Sequence, residues 1–147
     1  MFSPLTQSII EREKIPVLSN DDVDAFLSEN REVVLFVSGA HERLVEVDDV
    51  AVIFPELVKA YGGRLSPAII DRECERDVQK RYLFNAFPVL VFLRDGKYLG
   101  AIKRVLDWSD YVREINDILA RDASDPVYKF PEGCAPALAA AQTKVEH

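Results

Sequence analysis

The strongest pattern along the chain is a pair of continuous apolar runs of strand length. Residues 32–38 and 89–93 are each too short for a buried helix and are rich in β-branched and aromatic side chains. We expect both to be strands that are covered on both faces and lie next to each other in a sheet. The pair Asp95-Gly96 follows the second run and suits the positive φ angles of a tight hairpin turn. Residues 97–105 are therefore predicted to return antiparallel to residues 89–93.

Apolar side chains recur at helical spacing in the segments around these runs. One helix should follow the capping-box-like pair Ser19 and Asp22, and others should cover residues 53–61 and 73–83. A first and a last helix flank this set. The side chains expected to face inward are Leu5 and Ile9 in the first helix, Val23, Phe26 and Leu27 in the second, Ile53, Leu57, Val58 and Tyr61 in the third, Val78 and Tyr82 in the fourth, and Trp108, Val112, Ile115 and Leu119 in the last.

Two weaker strands complete the order of elements. Residues 15–18 and 64–71 have strand character, and Pro67 indicates that the ladder of the second begins only after it. Residues 39–52 fit neither period and are predicted to be a loop. The resulting order of strand, helix, strand, helix, strand, helix, hairpin and final helix predicts an α/β fold in which helices flank a central mixed sheet. The helix that precedes the first strand is an extra N-terminal element.

The length and the distribution of breaker residues indicate one domain and a tail. A chain of 147 residues is long enough for one hydrophobic core. We place the domain at residues 1–121. Residues 122–147 are interrupted by Pro and Gly before an Ala-rich end, which is typical of a mobile tail.

The charge and the cysteine content narrow the class of protein. The formal net charge is −7, so phosphates would be repelled over most of the surface; nucleic acid is disfavoured, and a basic or arginine-bearing partner is expected. No apolar run is long enough to cross a bilayer, and the N-terminus lacks the basic start and apolar core of a signal peptide. We therefore expect a cytoplasmic protein that is not inserted in a membrane. Cys74 and Cys134 are expected to form no disulfide.

The order of elements and three short motifs resemble the thioredoxin fold. The motifs are Phe87-Pro88-Val89 at the entry to a buried strand, Arg94-Asp95-Gly96 at the hairpin, and residues 61–65 after the third helix. The resemblance implies a cis peptide bond between Phe87 and Pro88. Residues 39–44, which stand where a thioredoxin carries Cys-x-x-Cys, contain no cysteine. Dithiol exchange therefore lacks its reactive pair at this position.

Further motifs resemble the HyaE/HupG family of hydrogenase expression proteins, over roughly residues 15–120. These are Phe87-Pro88 followed by Val91-Phe92, the hairpin residues 96–100, and Asp107-Trp108-Ser109 at the start of the last helix. The resemblance implies a non-enzymatic chaperone in NiFe-hydrogenase maturation. Its partner would be the hydrogenase small-subunit precursor with its twin-arginine signal peptide, and a second maturation protein is left open as a further partner. No cofactor is expected.

Two candidate surfaces for binding a peptide follow. The first is an acidic stretch between residues 41 and 49, whose carboxylates alternate with apolar residues and would suit an arginine-bearing segment. Its alternative is a solvated acidic loop. The second is the sheet edge beside the proline, where an extended peptide could pair through its main chain; its alternative is a purely structural role. The candidate peptide-binding residues are Glu42, Glu46, Asp48, Asp49, Phe87 and Pro88.

Other reactive side chains give weaker hypotheses. His41 beside Glu42 suggests acid/base chemistry or a metal ligand, but no second His or Cys lies nearby in the sequence, so we expect no catalytic or metal site. Cys74 is expected to be a small core residue, and Cys134 stands in the tail. The competing function is a thiol-dependent oxidoreductase of thioredoxin-like fold that uses one of these two cysteines.

Overall fold

The computed structural model describes residues 1–123, and the predicted tail from residue 124 onward lies outside the described residues. Helices and strands alternate as the pattern predicted, with an extra helix at the N-terminus. The elements are α1 (Pro4–Glu13), β1 (Val17–Leu18), α2 (Asn20–Glu29), β2 (Glu32–Val37), α3 (Glu46–Ala60), β3 (Ser66–Ile70), a short 3-10 turn (Arg72–Cys74), α4 (Glu75–Tyr82), β4 (Val89–Arg94), β5 (Lys97–Ile102) and α5 (Trp108–Leu119).

One mixed sheet holds the five strands in the order β1-β3-β2-β4-β5. β3 runs parallel to both β1 and β2, whereas β4 is antiparallel to β2 and β5 is antiparallel to β4. The prediction that the two apolar runs are neighbours is confirmed, with Val37 opposite Val89 at one end of the pair. Asp95 and Gly96 both have positive φ, at 52° and 77°, as the hairpin turn requires.

Two apolar layers cover the two faces of this sheet. Alternate residues of β2 and β4 point to opposite faces, so Phe36 and Phe92 pack under α1, α3 and α5, while Leu35 and Val91 pack under α2 and α4. All four are at most 1% exposed. The continuous apolar runs are thus explained by burial on both sides.

The prediction of a loop over residues 39–52 is wrong in its second half, because α3 begins at Glu46. Val47, Val50, Ala51 and Phe54 are all buried, and their spacing is that of a helix face. Because α3 begins before the predicted residue 53, Pro55 lies well inside the helix and not in its first turn. Burial of this apolar face offsets the loss of one backbone hydrogen bond at the proline.

Three further local predictions need correction. Trp108 is 44% exposed rather than inward-facing, and Leu5 is 38% exposed. Both lie in the first turn of their helices, where a side chain can project past the layer below it. β3 begins at Ser66, before Pro67 and not after it. The proline is tolerated because β1 pairs only with the end of β3 and leaves this part of the strand with one neighbour.

Candidate peptide-binding surface

Five connecting segments emerge at one end of the sheet, which we call the upper end. β2 ends there, β4 begins there, and Leu90 of β4 lies opposite Ile102 at the end of β5. β1 and β3 also end there, since β3 runs parallel to both β1 and β2. The segments that follow β1, β2, β3 and β5 and the one that precedes β4 therefore lie at the upper end. The topology brings together residues that are far apart in the sequence.

A glycine lies directly against the proline segment at this end. Gly39 has φ +78°, and a Cβ placed on it would be only 2.4 Å from the Cβ of Phe87. Phe87 is half-buried and packs edge-on against Phe84, with ring centroids 5.5 Å apart, while Pro88 is buried. The Phe87–Pro88 peptide bond is cis, as the resemblance implied. The segment around Phe87 and Pro88 therefore offers little exposed side-chain surface.

A buried carboxylate holds the glycine in place. The backbone N–H of Gly39 donates to Oε2 of Glu75 over 3.0 Å, and Nε of Arg72 donates to the Gly39 carbonyl over 3.2 Å. Arg72 and Glu75 also form an ion pair of 3.4 Å. Burial raises the pKa of Glu75, and its hydrogen bond to Gly39 only partly opposes this. The sequence analysis did not predict this clamp. The only signal for it is that Glu75 lies on the same face of α4 as the buried Val78 and Tyr82.

The acidic residues differ in how accessible they are. Glu42, Glu46 and Asp49 are exposed, whereas Asp48 is half-buried and its Oδ1 accepts a 2.6 Å hydrogen bond from the hydroxyl of Ser3. Acidic side chains in the first turn of a helix are also favourable in themselves, because they face the positive end of the helix dipole. The structure thus leaves three of the four carboxylates exposed to solvent, where a partner can reach them.

His41 and Glu42 lie side by side, with Nε2 of the imidazole 3.5 Å from a carboxylate oxygen. A hydrogen bond from its own backbone lowers the pKa of Glu42, and His41 and Arg72 contribute in the same direction.

Within residues 1–123 the structure contains no cluster of three or more His, Cys, Asp or Glu side chains arranged to hold a metal ion. Cys74, the one cysteine of this range, is half-buried against the layer under α2 and α4.

Exposed apolar side chains accompany the carboxylates. Val45 is 84% exposed and Val52 is 51% exposed. With Asp49 and Glu56 they form the outward row of α3, since positions separated by three, four or seven lie on one face of a helix. None of the helices in residues 1–123 is long and apolar enough to cross a membrane. We call these four outward residues, together with the exposed Glu42 before α3 and Glu46 at its start, the acidic row; it combines negative charge with apolar surface.

Comparison with known proteins connects this architecture to one family. The profile of the family described as Hydrogenase-1 expression protein HyaE matches residues 5–111. The hydrogenase expression/formation protein HoxO of Azotobacter vinelandii is 42% identical over 125 residues, which cover 85% of this chain and 84% of HoxO. The hydrogenase expression/formation protein HupG of Rhizobium leguminosarum is 36% identical over 126 residues, 83% of this chain and 85% of HupG.

Solved structures support the same fold. The crystal structure of a protein assigned as hydrogenase expression/formation protein hupG from Rhodopseudomonas palustris matches with a TM-score of 0.52 at 35% identity, over 71% of this chain and 95% of the other. Mitochondrial thioredoxin 3 of Saccharomyces cerevisiae matches with a TM-score of 0.59 at 18% identity, over 71% and 96% of the two chains. The second match shows the fold alone. The prediction of a thioredoxin-like fold is confirmed.

Proposed function

Since the chain belongs to the family of hydrogenase expression proteins described as Hydrogenase-1 expression protein HyaE, and so has a role in hydrogenase maturation, we propose that it is a cytoplasmic, non-enzymatic chaperone. Its substrate is the hydrogenase small-subunit precursor, which it binds through the twin-arginine signal peptide. The observation that carries the proposal is the row of exposed carboxylates and valines at the start of α3.

The chemistry of the row fits an arginine pair. A guanidinium group can donate two parallel hydrogen bonds to one carboxylate, which gives selectivity for arginine over lysine as well as attraction. Glu42, Glu46 and Asp49 supply the acceptors, and Asp48 contributes negative charge from its place against Ser3. The net charge of −7 favours the encounter with a basic segment at low ionic strength.

The segment beside the proline has a secondary part in the proposal. Phe87 and Pro88 precede β4 at the upper end, and their side chains are half-buried and buried. A bound peptide would therefore meet their main chain rather than their side chains, in an extended conformation.

Affinity measurements with the purified precursor test the proposal. Glu46→Lys combined with Asp49→Lys should weaken binding at least about tenfold, since two charge-assisted contacts become repulsive. Asp48 is kept, because its replacement would also break the hydrogen bond to Ser3. A precursor that lacks its signal peptide should bind as weakly to the native chaperone.

The matched control reverses two exposed acids on the opposite face of the sheet. Asp21 and Glu29 of α2 are exposed, and their change to lysine alters the net charge by the same amount. Long-range charge would weaken both double variants equally, whereas a local site weakens only the first. Equal affinities of the two variants, or unchanged binding of the shortened precursor, would contradict the proposed surface.

The non-enzymatic part of the proposal has its own assay. A thiol oxidoreductase would reduce insulin disulfides, and the reaction would disappear in Cys74→Ser or in Cys134→Ser. We expect no cysteine-dependent turnover, because residues 39–44 hold no cysteine and Cys74 packs partly into a core layer. Turnover that either substitution removes would support the competing oxidoreductase function instead.

A further inference from the structure

A second helix places exposed apolar surface next to the acidic row. Trp108 opens α5 and is 44% exposed, and Val105, in the segment that leads to it, is 42% exposed. The next residues on the inward side of α5, Tyr111 and Ile115, are at most 1% exposed. Trp108 therefore projects beyond the layer that α5 covers. Tryptophan is among the side chains enriched where protein surfaces bind partners.

α3 and α5 lie side by side and begin at the same end of the sheet. Both follow strands that end at the upper end. Away from that end, the hydroxyl of Tyr61 at the end of α3 donates to Oδ1 of Asn116 in α5 over 2.9 Å. Near it, Tyr111 of α5 and Val50 of α3 belong to the same buried apolar layer, and Leu106 packs against that layer. Burial raises the pKa of Tyr111, and the charge of Asp49 adds to this. Tyr111 in turn donates to the Arg104 carbonyl over 3.4 Å. Residues 104–108 and the first turns of α3 therefore lie on the same face of the sheet and at the same end.

The charges around this surface are predominantly negative. Asp107 and Asp110 stand at the start of α5, and Glu46, Asp48 and Asp49 stand in the first turn of α3, which begins at the same end of the sheet. Of the nearby cations, Arg104 lies 3.5 Å from Glu114 and Arg113 lies 2.9 Å from Asp110, whereas Arg43 is exposed in the loop before α3. A second copy of the same acidic chain would be repelled here. A segment with arginines followed by an apolar stretch has the complementary chemistry.

We propose that Trp108 and Val105, together with Val45 and Val52 of α3, bind the apolar stretch that follows the arginine pair of the signal peptide. This inference rests on the proposed function and assigns the two halves of the peptide to two neighbouring helices. The arginines meet the carboxylates of α3, and the apolar residues cover Trp108. The proline segment is a poorer site for the apolar half, because Phe87 and Pro88 are already largely covered.

The chain carries a single tryptophan, so its fluorescence reports directly on this contact. The probe is a synthetic peptide with two arginines followed by a short run of leucine and alanine, without aromatic residues. Binding should shift the emission of Trp108 to shorter wavelength and reduce its quenching by acrylamide. Covering about 100 Å² of exposed indole is worth at least a tenfold change in affinity, so Trp108→Ala should raise the Kd by about that factor.

Matched variants separate a specific contact from general effects. Trp108→Phe keeps an aromatic ring and should stay within about threefold of the native affinity, measured by isothermal titration calorimetry. Leu83→Ala removes an apolar side chain that is 39% exposed after α4 and should leave the Kd unchanged. Val105→Ala tests the same surface without the tryptophan and should weaken binding, which keeps the inference testable if Trp108→Ala does not fold.

The outcomes distinguish this inference from the proposed function. Native binding with neither a fluorescence shift nor a change of Kd in Trp108→Ala or Val105→Ala overturns the inference and leaves the proposed function standing. If the native chain binds the arginine peptide no better than a peptide with glutamates in place of the arginines, both fail. The inference is supported if the peptide shifts the fluorescence of the native chain and only Trp108→Ala and Val105→Ala lose affinity.

Discussion

Gly39→Ala should destabilise the protein far more than an ordinary glycine replacement. The backbone at Gly39 has φ +78°, which costs an alanine about 1–2 kcal/mol. The new Cβ would also lie 2.4 Å from the Cβ of Phe87, an atom fixed close to the main chain that cannot rotate away. Overpacking of this kind costs a further 1–3 kcal/mol or so. The two terms together give about 2–5 kcal/mol.

Gly96→Ala is the matched control, since Gly96 has φ +77° and a Cβ there would meet no atom within 4 Å. It should lose only the conformational term of about 1–2 kcal/mol. The free energy of unfolding of both variants would be measured by urea denaturation followed by far-UV circular dichroism. If the two losses agree within about 0.5 kcal/mol, the close contact of Gly39 with Phe87 is not a constraint and the reasoning is refuted.

Three further predictions concern groups that the sequence pattern left unexplained. Glu32→Gln should lower the free energy of unfolding by about 2 kcal/mol at neutral pH, because Arg64 and Arg94 lose their shared carboxylate. These arginines lower the pKa of Glu32, so urea denaturation should show the stability difference between the native protein and the variant shrinking as the pH falls through that lowered pKa. Glu75→Gln should show the opposite pH dependence. Burial raises the pKa of Glu75, so the native protein should lose stability relative to the variant as the pH rises through that raised pKa. A native protein that instead gains stability relative to the variant as the pH rises would contradict the desolvation argument. Ser3→Ala should lower the melting temperature through a loss of about 1–2 kcal/mol, since the hydroxyl both caps α1 and donates to Asp48; an unchanged melting curve would rule this out.

The acidic row could be predicted from the sequence only as a composition. The alternation of charged and apolar residues after β2 indicated a surface for a basic peptide, but it did not show that α3 already begins at Glu46. It also could not show that Asp48 is bonded to Ser3, because that contact joins positions 45 residues apart. The accessibility of a side chain depends on which residues pack against it in the folded protein. The pattern of neighbouring residues in the sequence does not identify them.

By itself the sequence determined the strands, the hairpin and the fold class. The two continuous apolar runs require burial on both faces of a sheet, and Asp95-Gly96 favours a turn with positive φ. The local preferences of these residues therefore agree with the global fold. Only the tertiary structure decided that Glu75 would clamp Gly39 and that Trp108 would be exposed at the start of α5. Strand order and direction bring these residues to one end of the sheet, and no periodicity within a single element can encode a contact between elements.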